Sequence, residues 1–216
     1  MSGAVVFDLD GTLVHSAPDI HAAVNRALAE QGQEPLSLGA VTGFIGDGVP
    51  ALIAGVADDR GIAPERRETL MARYLFHYNA DSVALTRPFP GLERTLSTLI
   101  GSGHRLGVCT NKPEGSARDI LRLLGLDRYF EVVVGAGSLP QRKPHPAPLL
   151  HCFERLDAQG VYVGDSEVDG ECAARAGVPF LLFTGGYRKR RVAEIPHREA
   201  FGRFADLPGL MAAPAA

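Results

Sequence analysis

The chain has no tryptophan, and only three cysteines, three methionines and three lysines among its 216 residues. Each scarcity excludes something. Cys109, Cys152 and Cys172 are odd in number and show no Cys-x-x-Cys spacing, which argues against a disulfide framework or a zinc site. They read as small buried hydrophobes in a reducing, cytoplasmic setting. No apolar run approaches the ~20 residues that a membrane span needs. Acids interrupt the opening MSGAVVFDLDG after a short apolar stretch, so no signal peptide is expected. A formal charge of −3 excludes a generally basic nucleic-acid surface. The basic run at residues 188–191 then reads as a solvated helix face. Lysine is the sharpest scarcity. A reaction that needs a side-chain amine has only Lys112, Lys143 and Lys189 to draw on.

What is present is ordinary for a globular protein, with 45% hydrophobic residues. Short apolar runs at residues 4–7, 106–109, 132–134, 161–163 and 179–183 are bounded by Gly, Asp or Thr. They read as buried parallel strands. Leu92, Leu96, Leu99 and Ile100 repeat at helical spacing, as do Ala117, Ile120, Leu121 and Leu124, with Gly125 as a stop. This alternation predicts an α/β fold, a doubly wound parallel sheet. The interval between the first two strands is far longer than one crossover requires. Ile20, Val24 and Leu28 form one helical stripe within it, and residues 51–56 and 70–78 read as further helices. The prediction is an all-helical cap at 15–87 inserted into a core made of 1–14 and 88–216, with the Pro-rich segment 87–91 marking the return. The Ala/Pro tail at 211–216 is expected to fray.

Ligands of open α/β sheets bind outside the carboxyl ends of the strands. Asp8, Asp10, Gly11 and Thr12 follow the first predicted strand. Thr110 and Asn111 follow the second. Lys143 lies in the loop beyond the third, and Asp165 and Asp169 follow the fourth. Clustered carboxylates repel unless a cation sits among them, and oxygen-only ligands suit Mg²⁺. On an extended strand Asp8 and Asp10 would share a face, so one could attack while the other handles a proton. Thr110 and Asn111 are expected at a helix start, with Pro113 in its first turn and free N–H groups offered to a phosphate. Lys143 can balance the charge of Asp8 and of a phosphoryl group. Taken singly, Asp8 could be a loop acid, Asp165 an N-cap and Lys143 a solvated charge. Their order along one sheet edge favours a site.

The segments DLDGTL at 8–13, TNKP at 110–113, RKPHP at 142–146 and GDSEVD at 164–169 resemble the four motifs of the haloacid dehalogenase-like phosphohydrolase superfamily. The resemblance implies Asp8 as nucleophile and Asp10 as general acid/base. It implies Thr110 on the phosphoryl group and Lys143 orienting Asp8. Mg²⁺ would be held by Asp8, the Asp10 carbonyl and Asp165, with Asp169 in support. Asp10 argues against dehalogenase chemistry, and the lysine-free cap argues against Schiff-base and hexomutase siblings.

SAPD at 16–19, GDGVP at 46–50, KPHP at 143–146 and TGGY at 184–187 are most similar to the phosphoglycolate phosphatase family. The implied partner is a small anionic phosphomonoester, with no nucleic acid or membrane, for a monomer or homodimer. Thr12, Gly46, Asp47, Gly48, Thr110, Asn111 and Lys143 are the expected substrate contacts. His15 departs from the family, which commonly has aspartate there. Pyrophosphate or a sugar phosphate are alternative substrates. A phosphate-binding regulatory protein on the same scaffold is the alternative outside catalysis.

Overall fold

The computed structural model describes residues 3–212. The end of the Ala/Pro tail, 213–216, and its expected fraying lie outside the described residues. Strand β1 (Ala4–Phe7) is buried at every position. The chain then turns into β2 (Val14–His15), helices α1 (Ala17–Ala29), α2 (Leu38–Thr42), α3 (Val49–Asp59) and α4 (Pro64–Ala80), and β3 (Arg87–Pro88). From there helices and strands alternate through α5 (Leu92–Gly101), β4 (Arg105–Pro113), α6 (Glu114–Leu123), β5 (Val132–Ala136) and α7 (Ala147–Arg155). The series ends with β6 (Gly160–Gly164), α8 (Glu167–Ala176), β7 (Phe180–Phe183), β8 (Glu199–Phe201) and α9 (Leu207–Ala212).

Six strands form one parallel sheet in the order β5-β4-β1-β6-β7-β8. Successive side chains of β1 face opposite ways, as the two-residue period of a strand requires. Val5 and Phe7 pack with Leu96 of α5 and Ile120 of α6, whereas Ala4 and Val6 pack with Leu149 of α7 and Ala173 of α8. A β-carbon on Gly160, opposite Ala4, would lie 1.7 Å from the Ala4 carbonyl oxygen, so the central strands approach closely only because this residue is glycine. Each fully buried valine or phenylalanine contributes about 1.5–3 kcal/mol, and β1 has no position that escapes burial. This places the start of the DLDGT segment at the centre of the sheet, at its carboxyl edge.

The helical insertion leaves and returns by a two-stranded antiparallel ribbon. Val14 faces Pro88, and His15 faces Arg87. The buried Asp19 carboxylate fastens the return. It accepts hydrogen bonds from Leu85 N, from Thr86 N at 2.7 Å and from Thr86 Oγ1 at 2.6 Å. No helix among the described residues is long and apolar enough to cross a membrane.

Three local readings change. Strand β4 continues through the TNKP segment, and α6 begins only at Glu114. The residue before a proline avoids the helical region, so Lys112 must stay extended and the helix can start only beyond Pro113. Thr110 and Asn111 are therefore strand-end residues rather than helix-start residues. The basic run at 188–191 is a loop and not a helix face. Strand β8 and the β2–β3 ribbon are too short to register as sequence patterns.

Candidate active site

Asp8 is the first residue past β1, held by a hydrogen bond from its N–H to the Val163 carbonyl at 2.9 Å. Beyond it the chain turns at Gly11, whose φ of +88° suits glycine. A β-carbon there would lie 2.5 Å from Asp165 Oδ2. The turn separates the two carboxylates that an extended strand would have put on one face. Asp8 meets Lys143, whose Nζ lies 2.9 Å from its Oδ1. Asp10 meets Lys112, whose Nζ lies 3.1 and 2.9 Å from its two oxygens, and Ser16, whose hydroxyl donates to Oδ1 at 2.6 Å.

Lys143 is 3% exposed and has three neighbours: Asp8, the Asp169 Oδ1 at 2.7 Å and the Tyr162 hydroxyl at 2.8 Å. Tyr162 and Asp169 take two of its ammonium protons as hydrogen bonds, and Asp8 Oδ1 pairs with it by charge without a well-directed hydrogen bond. It therefore balances the carboxylates, and its three neighbours are all groups of the protein. Asp169 is equally committed. Its Oδ1 takes Lys143 and Tyr162, and its Oδ2 takes the N–H of Ser166 and of Asp165 and the Ser166 hydroxyl. Asp165 accepts from Thr12 Oγ1 at 2.7 Å and from Tyr187 N at 2.6 Å.

The charges in this cluster do not cancel. Burial raises the Asp8 carboxyl to about 6 despite the pull of Lys143. Burial, with the nearby charges of Asp169 and Asp8, holds Asp165 well above its usual range. Burial would also raise Asp169, but the charge and hydrogen bond of Lys143 keep it low. Lys143, which burial alone would push down, is held well above its ordinary value by Asp169 and Asp8. Oxygens of Asp8, Asp165 and Asp169 lie within 4.8 Å of one another, all buried. Three carboxylates share one ammonium, and Asp8 Oδ1 makes no well-directed hydrogen bond. An all-oxygen donor set with surplus negative charge fits a hard divalent cation. Asp8 and Asp165 would hold it, with Asp169 supporting them through Lys143 and the 165–166 backbone.

The site opens on a small cavity of about 40 Å³. Asp8, Asp10 and Thr110 line its sheet side, and Ile45, Leu52 and Tyr74 its helical side. Gly46 and Gly48 also line it, at the loop that leads into α3.

Four expected contacts have other tasks. Thr12 is fully buried, because the Gly11 turn folds its hydroxyl inward onto Asp165. Asp47 points away from the cavity to Lys189, 3.5 Å away. Asn111 lines the cavity as expected, but its side chain donates to the Gly46 and Lys143 carbonyls at 3.1 and 3.0 Å and accepts from Lys143 N at 3.0 Å, so it clamps backbone. Lys143, as described, serves carboxylates. Thr110 does line the cavity, with its oxygen accepting from Lys112 N at 3.2 Å.

The sequence pattern of the family described as "Haloacid dehalogenase-like hydrolase" matches residues 5–183. The chain belongs to this family. Within it, a phosphoglycolate phosphatase from Cereibacter sphaeroides is 53% identical over 210 residues, covering 96% of each chain. One from Rhodospirillum rubrum is 42% identical over 218 residues, covering 96% of this chain and 90% of that one. The crystal structure of a predicted phosphoglycolate phosphatase from Haemophilus somnus superposes with a TM-score of 0.91 at 30% identity, covering 97% of both chains. These likenesses assign the chain to the phosphoglycolate phosphatase family of haloacid dehalogenase-like hydrolases, and thus to the phosphoric monoester hydrolases.

Against that family, the residues at the hinge gain meaning. His15 Nδ1 lies 2.9 Å from the Tyr187 hydroxyl, which also accepts from Ala17 N at 3.0 Å. The Tyr187 N–H meanwhile donates to Asp165. One residue of the TGGY segment thus joins the acidic cluster to the start of the helical insertion. Cys109, buried beneath Thr110, has its thiol pushed well above the usual range by burial and is structural. His145 accepts from Ala147 N and caps the start of α7. Lys112, Tyr162 and Tyr78 stood outside the expected site. Lys112 had a signal, being one of three lysines. The tyrosines read as core positions of a strand and a helix.

Proposed function

We propose that the chain is a Mg²⁺-dependent phosphatase that hydrolyses 2-phosphoglycolate to glycolate and phosphate through an aspartyl-phosphate on Asp8. The observation that carries the reading is a buried carboxylate with one face on the cavity and a lysine behind it. In the first step an Asp8 oxygen attacks phosphorus, a P–O bond forms and the bond to the glycolate oxygen breaks. Asp10 gives the leaving oxygen its proton. In the second step Asp10 takes a proton from water, the water oxygen attacks phosphorus, and the Asp8 carboxylate is released with phosphate. Mg²⁺, when bound at Asp8 and Asp165, supplies charge neutralisation for the phosphoryl oxygens. Thr110 orients the phosphoryl group from the sheet side. The helical cap, 15–87, closes the cavity and excludes water.

The small cavity, walled on both sides, supports a compact phosphate over a bulky one. The family relatives support 2-phosphoglycolate. The test is kcat/KM over a panel of small phosphates with Mg²⁺. The expected result is a preference for 2-phosphoglycolate of at least roughly 10-fold over pyrophosphate and hexose phosphates. A leading pyrophosphate or sugar phosphate would reassign the substrate. Tight binding without turnover would indicate a regulatory protein. Three unpaired, buried cysteines fit a reducing cytoplasm.

Metal removal has a pH signature. The Asp8 carboxyl moves from 3.8 to about 6 on folding, so folding takes up a proton. That contribution to stability is complete below 3.8 and is lost as the pH rises through about 6. Above that value Asp8 is charged and open to a cation. Mg²⁺ should therefore raise the melting temperature more at pH 7.5 than at pH 5, in paired melts with and without EDTA. An equal shift at both pH values would count against binding at Asp8 and Asp165.

A further inference from the structure

Lys112 is the second of the three lysines at the cleft, and the proposed reaction gives it no role. It ends the extended part of β4 just before Pro113 and is 7% exposed. Its ammonium reaches both oxygens of Asp10, at 3.1 and 2.9 Å. The same nitrogen lies 4.6 Å from the ring centroid of Tyr78, a 2% exposed residue on α4. Two protons are taken by Asp10 and the remaining side faces an aromatic ring. Although Lys112 borders the cavity, it has no donor directed at a ligand. Stability does not account for it either, because an ion pair this buried is generally no more stabilising than an apolar pair of the same volume.

What the pair does supply is geometry. The Asp10 carboxylate is held from the sheet side by Lys112 and from the start of α1 by Ser16. Lys112 is in turn covered by Tyr78 from the far end of the insertion. The grip on Asp10 is complete only while α4 lies over the cleft.

We propose that Lys112 is a positioning residue for Asp10, and that the Tyr78 ring couples its grip to the docking of the helical cap. This rests on the reading of Asp10 as the proton donor to the leaving oxygen. A group that serves that proton transfer matters in proportion to how badly the leaving group needs a proton. Glycolate leaves as an alkoxide and needs one. Acetate, leaving from acetyl phosphate, does not. Both substrates are small, and kcat/KM reports the steps through departure of the leaving group.

The experiment compares kcat/KM for 2-phosphoglycolate and acetyl phosphate in the full-length protein. Lys112→Met should lower the value for 2-phosphoglycolate by roughly 100-fold and that for acetyl phosphate by no more than about 3-fold. Most of the loss should fall in kcat. Tyr78→Leu should repeat the selectivity with a smaller amplitude, and Tyr78→Phe, which keeps the ring, should behave like the parent on both substrates. Equal losses on both substrates would overturn the proposal in favour of a structural role. A raised KM with kcat retained would overturn it in favour of direct substrate binding. Asp10→Asn is the control. If that variant shows no leaving-group selectivity, the reading of Asp10 has failed and the proposal falls with it. If Asp10→Asn is selective and Lys112→Met is not, the proposal alone has failed. Should Lys112→Met not fold, the Tyr78 pair carries the same comparison.

Discussion

Replacing Asp8 by asparagine should lower turnover by roughly 10⁴-fold or more, while leaving the protein at least as stable as its parent. The two effects have separate causes. The amide is no nucleophile, so the proposed aspartyl-phosphate cannot form. The stability follows from the imbalance of the cluster. Burial already penalises the charged form of Asp8, as its rise to about 6 records. The neutral amide removes one of three crowded negative charges, and Lys143 keeps Asp169 at 2.7 Å as its partner. Steady-state turnover of 2-phosphoglycolate and thermal melts on the same preparation check both halves. Activity near the parent's would remove Asp8 from the mechanism. A large drop in melting temperature would show that the cluster is better balanced than its charges suggest.

Lys143→Met should fail in the opposite way. Activity is lost again, but with about 3–5 kcal/mol of stability, because deleting the one cation leaves uncompensated buried charge. Asp169 is fully buried and cannot reach water to recover its solvation, and Asp8 meets water only across the small cavity. The Tyr162 hydroxyl would lose its donor from Lys143 and could still donate to Asp169. Urea melts of the two variants side by side make the contrast visible. A Lys143→Met protein within about 1 kcal/mol of its parent, the range of an ordinary surface change, would mean that the carboxylates are neutralised by protons rather than by the lysine. Opposite signs for the two members of one ion pair separate its chemical role from its role in charge balance.

Much of this site was legible because its parts are local. A parallel strand buried on both faces leaves an uninterrupted apolar run, so the ends of β1 and β6 are marked by the acids that follow them. Asp8, Asp10, Lys143, Asp165 and Asp169 all come to one sheet edge for that reason. The length of the first interval exposed the helical insertion in the same way. The rest depends on tertiary neighbours or on the local restriction that a proline places on the residue before it. TNKP was expected to open a helix, but Pro113 keeps Lys112 extended and delays the helix by a few residues. That delay lets Lys112 reach Asp10. Thr12 and Asn111 have the polarity of ligand contacts and spend it on Asp165 and on backbone. Tyr162 looks like one more apolar residue of β6. Its hydroxyl meets Lys143 only because of how the sheet and the 143 loop assemble. Tyr78 continues a helical stripe with Leu70 and Tyr74 and could not be told from core.

An amine-reactive dye meets a chain with a single open lysine. The Lys189 side chain is 40% exposed, against 5% for Lys112 and 2% for Lys143. Labelling of lysine therefore falls first at Lys189, beside the loop that carries Asp47. Acylation of Lys112 has to wait until its ammonium leaves Asp10 and the Tyr78 ring. A label located on Lys112 by mass, beyond those on Lys189 and the α-amine, therefore reports how often that buried ammonium is uncovered.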